Sequence, residues 1–406
     1  MMEVLILGAG TAGTMAAAGL RKRLPAGNRI TVVDTDDRHI YQPGLLLLPF
    51  GVYDTGQIVK SRRGVLPRGV DLVMGAVEVV DPDGRTVSLA DGRVLRYDQL
   101  VIATGTSPRP DQTPGMADTP GVHEFYTLEG SQALREALAG FSGGKLVVGI
   151  TEMPIKCPVA PLEFAFLVDA HLRKRGIRDR TQITYVTPLD GAFTKAVCSR
   201  ELGHLLTERD IVLETDFMLE HIEDGKLVSY DEREIDFDLL VTVPINMGAD
   251  YIAKSGLGDE LNYVPTDKHT LRAEGHDDVW VVGDAGNLPT SKAGSVAHFS
   301  MEVFLANFMD VVAGRAPTAS FDGHSNCFIE SGDGKALLID FNYDVEPLPG
   351  TYPLPKVGLP LLRESRFNHL GKLAFRYMYW YALLPERKLP IPSAMSMRGK
   401  KQPAGH

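Results

Sequence analysis

The sequence predicts an α/β protein of two Rossmann-like dinucleotide-binding domains, the second degenerate, followed by a C-terminal segment of different character. Three observations carry this. A short apolar strand, Val4 to Leu7, runs straight into Gly8-Ala-Gly10-Thr11-Ala12-Gly13 and an alanine-rich helix. A second strand–loop–helix pattern begins at Lys145, but only Gly149 remains of the glycines that such a loop requires. After Phe321 the composition changes, and the chain runs through an aromatic and basic stretch from Phe367 to Leu384.

A chain of 406 residues is long enough for two or three large cores. The net charge of −10 argues against a general nucleic-acid binder. Three cysteines make no disulfide framework, so a reducing compartment is expected. The start Met-Met-Glu-Val leads into a strand without a charged-then-apolar leader. No window of about eighteen apolar residues is present. The expectation is a cytoplasmic protein without a single-helix span, and without a metal site.

In the first unit, the glycines allow a tight turn, close approach of a pyrophosphate and helix–strand packing. The second strand, Arg29 to Val33, ends in Asp34, which can accept from a ribose hydroxyl. Two later strands end in small-residue turns. Tyr97 to Ala103 leads into Ala103-Thr104-Gly105, and Val279 to Val282 ends in Gly283-Asp284. The first of these resembles the Ala-Thr-Gly signature of two-dinucleotide-domain flavoproteins, which implies FAD. In that group the Gly-Asp turn implies a carboxylate on the flavin's ribityl chain. The expected organisation is an FAD-binding domain of residues 1–110 and 266–320, an inserted domain of 111–265, and a C-terminal segment of 321–406. The proline-rich run from Pro108 to Pro120 reads as a linker.

The inserted domain carries the most unusual stretch, Cys157-Pro-Val-Ala-Pro161-Leu-Glu163. Prolines and Cys157 stand where a nicotinamide cofactor would need glycines. The next strand, Gln182 to Thr187, ends without an acid for a ribose. Pro161 suits the first turn of a helix, which places Cys157 just ahead of a helix N-terminus, where the dipole favours a thiolate. Against this stands the reading of Cys157 as a small buried hydrophobe, with Glu163 merely offsetting the dipole. Cys198 lies in a helix start without a motif and is read as structural.

Taken together, these motifs resemble the sulfide:quinone oxidoreductase and flavocytochrome c sulfide dehydrogenase group. The resemblance spans nearly the whole chain and rests also on Lys292, Cys327 and the aromatic-basic end. It implies a Cys157/Cys327 redox pair on one face of FAD, with Glu163 handling protons and Lys292 near the flavin. It further implies sulfide as donor and a membrane quinone as acceptor. Residues 105–156 hold no cysteine, so a two-cysteine mechanism is implied. Phe341, Phe367 and Tyr377 are candidates for the quinone pocket.

Leu370, Leu373, Ala374, Tyr377, Met378, Tyr381 and Leu384 follow one helical face, with Lys372 and Arg376 elsewhere. Arg387, Lys388, Arg398, Lys400 and Lys401 add a basic excess. An amphipathic helix of this kind lies on an anionic membrane surface; the alternatives are packing on the protein's own core or across a homo-oligomer. Competing functions are a type II NADH:quinone dehydrogenase, a cytochrome-linked sulfide dehydrogenase, and a flavin/thiol redox sensor with negligible turnover.

Overall fold

The structure is a computed structural model that describes residues 1–389 and 392–401. Its first unit is a five-stranded parallel sheet in the order Val279–Val281, Gln99–Ile102, Glu3–Leu7, Arg29–Asp34, Asp71–Met74. The central strand is almost wholly apolar because a parallel sheet is covered on both faces. Helices Thr11–Arg23 and Gly294–Val312 cover one face, packed so closely that a Cβ at Gly19 would lie 2.5 Å from Leu305. On the other face Tyr251, Ile252 and Leu257 pack with Leu5, Leu7 and Leu100.

The second unit is also a five-stranded parallel sheet, in the order Val122–His123, Leu239–Val243, Gly144–Ile150, Thr181–Val186, Ile211–Glu214. Two chain crossings join the units. Ser107–Arg109 pairs antiparallel with Ile245–Met247, so the proline-rich stretch expected as a loose linker begins as half of a ribbon. The return crossing lies at Ile245–Met247, well before residue 265. Residues 250–257, expected with the inserted domain, share the core of the first sheet because their apolar side chains face it.

The Cys157 helix, Ala160–Lys174, has Pro161 in its first turn, Glu163 near its N-terminus and Arg173 and Lys174 in its last turn, all in agreement with the helix dipole. Gly176, at φ +67°, ends it. A hairpin, Ser325–Gly332 with Lys335–Phe341, packs on this helix. Its Ile329, Leu337, Ile339 and Phe341 belong to the second unit's core, while Tyr379, Trp380, Leu383 and Leu384 complete the first. The C-terminal segment thus ties the two units together.

The terminal helix, Arg366–Met378, continues through a wider turn at Tyr379–Leu383. Its orientation overturns part of the sequence reading. Lys372 is buried together with Asn368, while Phe367, Leu370, Ala374, Tyr377 and Tyr381 face outward. Leu373, Met378 and Leu384, expected on that same outer face, turn to the core. Lys400 is also no surface charge: its ammonium is buried against Asp340. No helix among the described residues is long and apolar enough to cross a membrane.

Candidate active site

The first glycine loop is built as the sequence requires. Gly8 has φ +97°, and a Cβ there would lie 2.5 Å from the carbonyl oxygen of Ala103. A Cβ at Gly13 would run into the Gly8 carbonyl. Gly10 differs, because a Cβ there meets nothing within 4 Å. Gly10 is the N-cap of the first helix, so this open space lies at a helix N-terminus, where a pyrophosphate can bind. Asp34 accepts from the Ala9 N–H at 2.6 Å and pairs with Arg62 at 2.6 Å. Thr11 shares a hydrogen bond with the Tyr379 hydroxyl at 2.8 Å, and Ala12 lies under Gly283, whose Cβ would come within 2.9 Å of it. Thr104 meets the Tyr251 hydroxyl at 3.1 Å, and Gly105 turns at φ +69° into open space.

These features fit FAD. Substituting Gly10 by Val supplies a clean test, since the protein has room for the side chain and the cofactor does not. Gly10→Val is expected to fold and to purify without FAD; stoichiometric flavin absorbance in that variant would contradict the placement.

Asp284 and Lys292 sit at the far end of this cradle. Burial raises the Asp284 carboxyl pKa, opposed by the charges of Lys292 and Lys156. Lys292 donates to the carbonyls of Asp284 and Gly286 at 3.0 and 2.8 Å, and its ammonium lies 3.6 Å from the centre of the Tyr263 ring. Burial lowers its pKa to about 8. Lys156, a half-buried lysine that motif reading does not single out, is a second cation whose charge acts on Asp284. Its place beside Cys157 was the available signal.

The loop from Thr151 to Val159 replaces a nucleotide-binding turn with a held thiol. The Cys157 N–H donates to the Lys292 carbonyl at 2.7 Å, and its own carbonyl accepts from Ala160 at 2.9 Å. Lys156 is tied through its N–H to Asn246 at 3.0 Å. Cys157 itself has φ +52°, a left-handed conformation that costs a non-glycine residue about 1–3 kcal/mol.

Cys327, on the hairpin, borders the same core as Cys157 and also the first unit's core, so both thiols sit at the seam between units. All three cysteines are unbridged in this structure. The expected thiolate at Cys157 is not what the surroundings favour. Burial pushes its thiol well up, with Glu163 and Cys327 adding to the shift, while Lys372 opposes it. Burial and Glu163 likewise push Cys327 up to about 12. Desolvation outweighs the helix dipole here. Cys198 is fully buried inside the second unit.

Glu163 is buried too. It pairs with the Lys372 ammonium and accepts from the Glu330 N–H at 2.7 Å. Burial raises its pKa, and Lys372 is the main opposing influence. Helical periodicity could not assign Lys372 to the inner face, because two apolar stripes compete for it. Of the aromatic candidates for a quinone pocket, Phe341 is buried in the second core, whereas Phe367 and Tyr377 are exposed.

His39 locks the C-terminal segment onto the cradle. Its Nδ1 lies 3.0 Å from the Ala9 carbonyl and its Nε2 2.7 Å from the Tyr379 hydroxyl. Burial lowers its pKa to about 4. A folded pKa below the unfolded one means this group's stabilisation is full above about pH 6.5 and is lost as pH falls towards 4. Melting temperature should therefore fall less steeply between pH 6.5 and 4 in His39→Phe than in the wild type.

Residues 2–298 match the pyridine nucleotide-disulphide oxidoreductase family. The chain belongs to that family. Among the oxidoreductase's curated relatives, the mitochondrial sulfide:quinone oxidoreductase of Mus musculus is 26% identical over 94% of this chain and 86% of its own length. Its Dictyostelium discoideum counterpart is 26% identical over 95% and 86%. The solved sulfide:quinone oxidoreductase of Aquifex aeolicus superposes with a TM-score of 0.83 at 19% identity, covering 95% of this chain and 92% of the other. That superposition shows the shared fold.

Proposed function

We propose that this flavoprotein oxidises sulfide to sulfane sulfur and delivers the electrons to a membrane quinone, with Cys157 and Cys327 as the redox pair. The observation that carries the reading is Cys157, pinned where a nicotinamide-binding loop would lie and bordering the same core as Cys327. The likeness to sulfide:quinone oxidoreductases over nearly the whole chain supports it.

Oxidation of the two free thiols to a bridge gives up two protons and two electrons, for which bound FAD would be the oxidant; hydrosulfide then attacks that bridge, so one sulfur–sulfur bond breaks as another forms. One cysteine becomes a persulfide and the other a thiolate. Closing the bridge again through the added sulfur leaves a trisulfide and releases one proton and two electrons; a second hydrosulfide then carries the added sulfur away as HSS⁻ and restores the disulfide. Bound FAD supplies the two-electron acceptor between this step and the quinone. Glu163 takes the proton, its raised pKa making the carboxylate a better base than an exposed one. Lys372 stabilises the thiolate, as its lowering influence on both thiols indicates. The loss of both glycines and ribose acid in the second unit argues against NADH as donor. The test is reduction of a soluble short-chain quinone by sulfide, catalysed by the purified holoprotein; no sulfide-dependent reduction would remove the reading.

The outward face of the terminal helix supports a peripheral membrane site. Phe367, Leu370, Tyr377 and Tyr381 are exposed together on this segment, leaving an apolar face without cover. An interfacial bilayer supplies the apolar cover, and a lipid-soluble acceptor must come from there. Removing the whole segment would also remove Lys372 and part of the first core, so point changes make the better test. Leu370→Glu with Tyr377→Glu should abolish flotation with anionic liposomes while leaving sulfide-dependent flavin reduction intact. Undiminished flotation would take the membrane role away from this face.

A further inference from the structure

The glycine loop that receives the pyrophosphate is held by side chains from distant parts of the chain. The Ala9 N–H donates to Asp34, and the Ala9 carbonyl faces the Thr14 hydroxyl at 3.2 Å and Nδ1 of His39 at 3.0 Å. A carbonyl only accepts, so the His39 proton lies on Nδ1. Burial keeps the ring neutral, since its pKa falls to about 4. Nε2 therefore accepts, and the Tyr379 hydroxyl, 2.7 Å away, donates to it. That leaves the Tyr379 oxygen as acceptor for the Thr11 hydroxyl at 2.8 Å. Each proton between Thr11 and Ala9 has one place to be.

Ala9 and Thr11 flank Gly10, the open position at the N-terminus of helix Thr11–Arg23. No side chain caps that helix, so its first N–H groups are left for a ligand. His39 and Tyr379 thus fix both neighbours of the position at which FAD enters. They are 1% and 3% exposed, so losing either partner leaves a buried polar atom unsatisfied. The same helix grips the C-terminal segment again at its other end. There Lys22 donates to the carbonyls of Pro385 and Glu386 at 2.7 and 2.6 Å, and Arg23 pairs with the Glu386 carboxylate at 3.2 Å. Those cations are exposed and contribute little alone. The buried end, at Tyr379, sets the strength of the attachment.

We infer that FAD binding and the seating of the C-terminal segment are coupled through Thr11, Tyr379 and His39, so that residues 366–386 are fully docked only in the flavin-loaded chain. A cofactor that needs the loop in this one arrangement draws the segment in. By linkage the segment tightens the cofactor by the same factor. Helix Arg366–Met378, which brings Lys372 to Glu163, runs into Tyr379 without a break, so the flavin also controls how firmly that pair is held. Tyr379 and His39 are positioning residues, acting on the cofactor through the loop. The inference rests on the FAD placement and is independent of what reduces the flavin.

The test follows release of FAD from the loaded full chain, read as recovery of free flavin fluorescence after dilution, in wild type, Thr11→Val, Tyr379→Phe and the double variant. Release should be about tenfold faster in each single variant, within the range usual for linked sites. It should be no faster in the double than in Thr11→Val, because both changes remove the same link. Wild-type release from Tyr379→Phe, or effects that multiply in the double, would overturn the coupling. A tie that only held the fold together would lower the melting temperature and leave release unchanged. Hydrogen exchange gives the reciprocal reading. Amides of 366–386 should exchange about tenfold faster or more in flavin-free Gly10→Val than in the loaded wild type, as a locally opened segment does. Those of Leu239–Val243, in the second sheet, should stay protected in both. Equal protection of 366–386 in the two folded proteins would also overturn the coupling. Should Gly10→Val lose protection at Leu239–Val243, it has not folded, and the release measurements decide alone. Neither measurement uses sulfide, so failure here leaves the sulfide reading standing, and the reverse holds too.

Discussion

Cys157→Ser and Cys327→Ser are each expected to lower sulfide-dependent quinone reduction by ~10³-fold or more, the scale on which removal of a nucleophile acts, with FAD still bound. A serine hydroxyl forms no persulfide and is no leaving group for hydrosulfide. FAD retention follows because the contacts that shape the cradle, at Gly8, Gly13, Ala103 and Gly283, involve neither thiol. Cys198→Ser is the control. Its side chain is fully buried among Leu202 and Leu206, so a hydroxyl there should lower the melting temperature, while turnover per folded molecule stays near wild type. A Cys198 variant as inactive as the other two would show that the wrong thiols have been paired. Turnover is read by absorbance of a soluble quinone, and folded fraction by flavin content.

Lys372→Met should be among the most destabilising single changes on the terminal helix. Lys372 and Glu163 are both buried, and removing one partner of such a pair costs roughly 3–5 kcal/mol, because the other charge is left uncompensated. The methionine fills the same space, so the loss is electrostatic. Adding Glu163→Gln to Lys372→Met should recover much of that stability, yet both proteins should be slow with sulfide, since neither retains the Glu163–Lys372 pair. Denaturant unfolding of the two singles and the double gives the coupling directly. Independent effects, with no recovery in the double, would mean that the pair is not what holds the helix to the Cys157 helix.

The parts of this molecule legible in its sequence are those set by local rules. Gly8 and Gly13 are required by close packing, because a Cβ at Gly8 would meet the Ala103 carbonyl and one at Gly13 would meet the Gly8 carbonyl. The strand before Gly283 is apolar on both faces because it closes a parallel sheet. Cys157 was conspicuous because it replaced glycines in a pattern that demands them. What was not legible depended on the surroundings of whole elements. Lys372 looks like a surface lysine to any helical projection; it is buried because Glu163, more than two hundred positions away, waits for it. Lys400 reads as a surface charge in the sequence, yet its ammonium is buried against Asp340. The dipole argument for a Cys157 thiolate was sound in direction but too weak against desolvation. The boundary near residue 265 failed because Tyr251 and Ile252 look the same to composition whichever sheet they cover.

The central claim is that a thiol site has replaced a nicotinamide site beside FAD. Anaerobic titration of the purified flavoprotein with sulfide, and separately with NADH, tests it most directly. Sulfide should bleach the flavin absorbance rapidly with a two-electron endpoint, and NADH at the same concentration should leave it oxidised over the same interval. Rapid bleaching by NADH with none by sulfide would contradict the claim and identify the protein as an NADH-dependent quinone reductase.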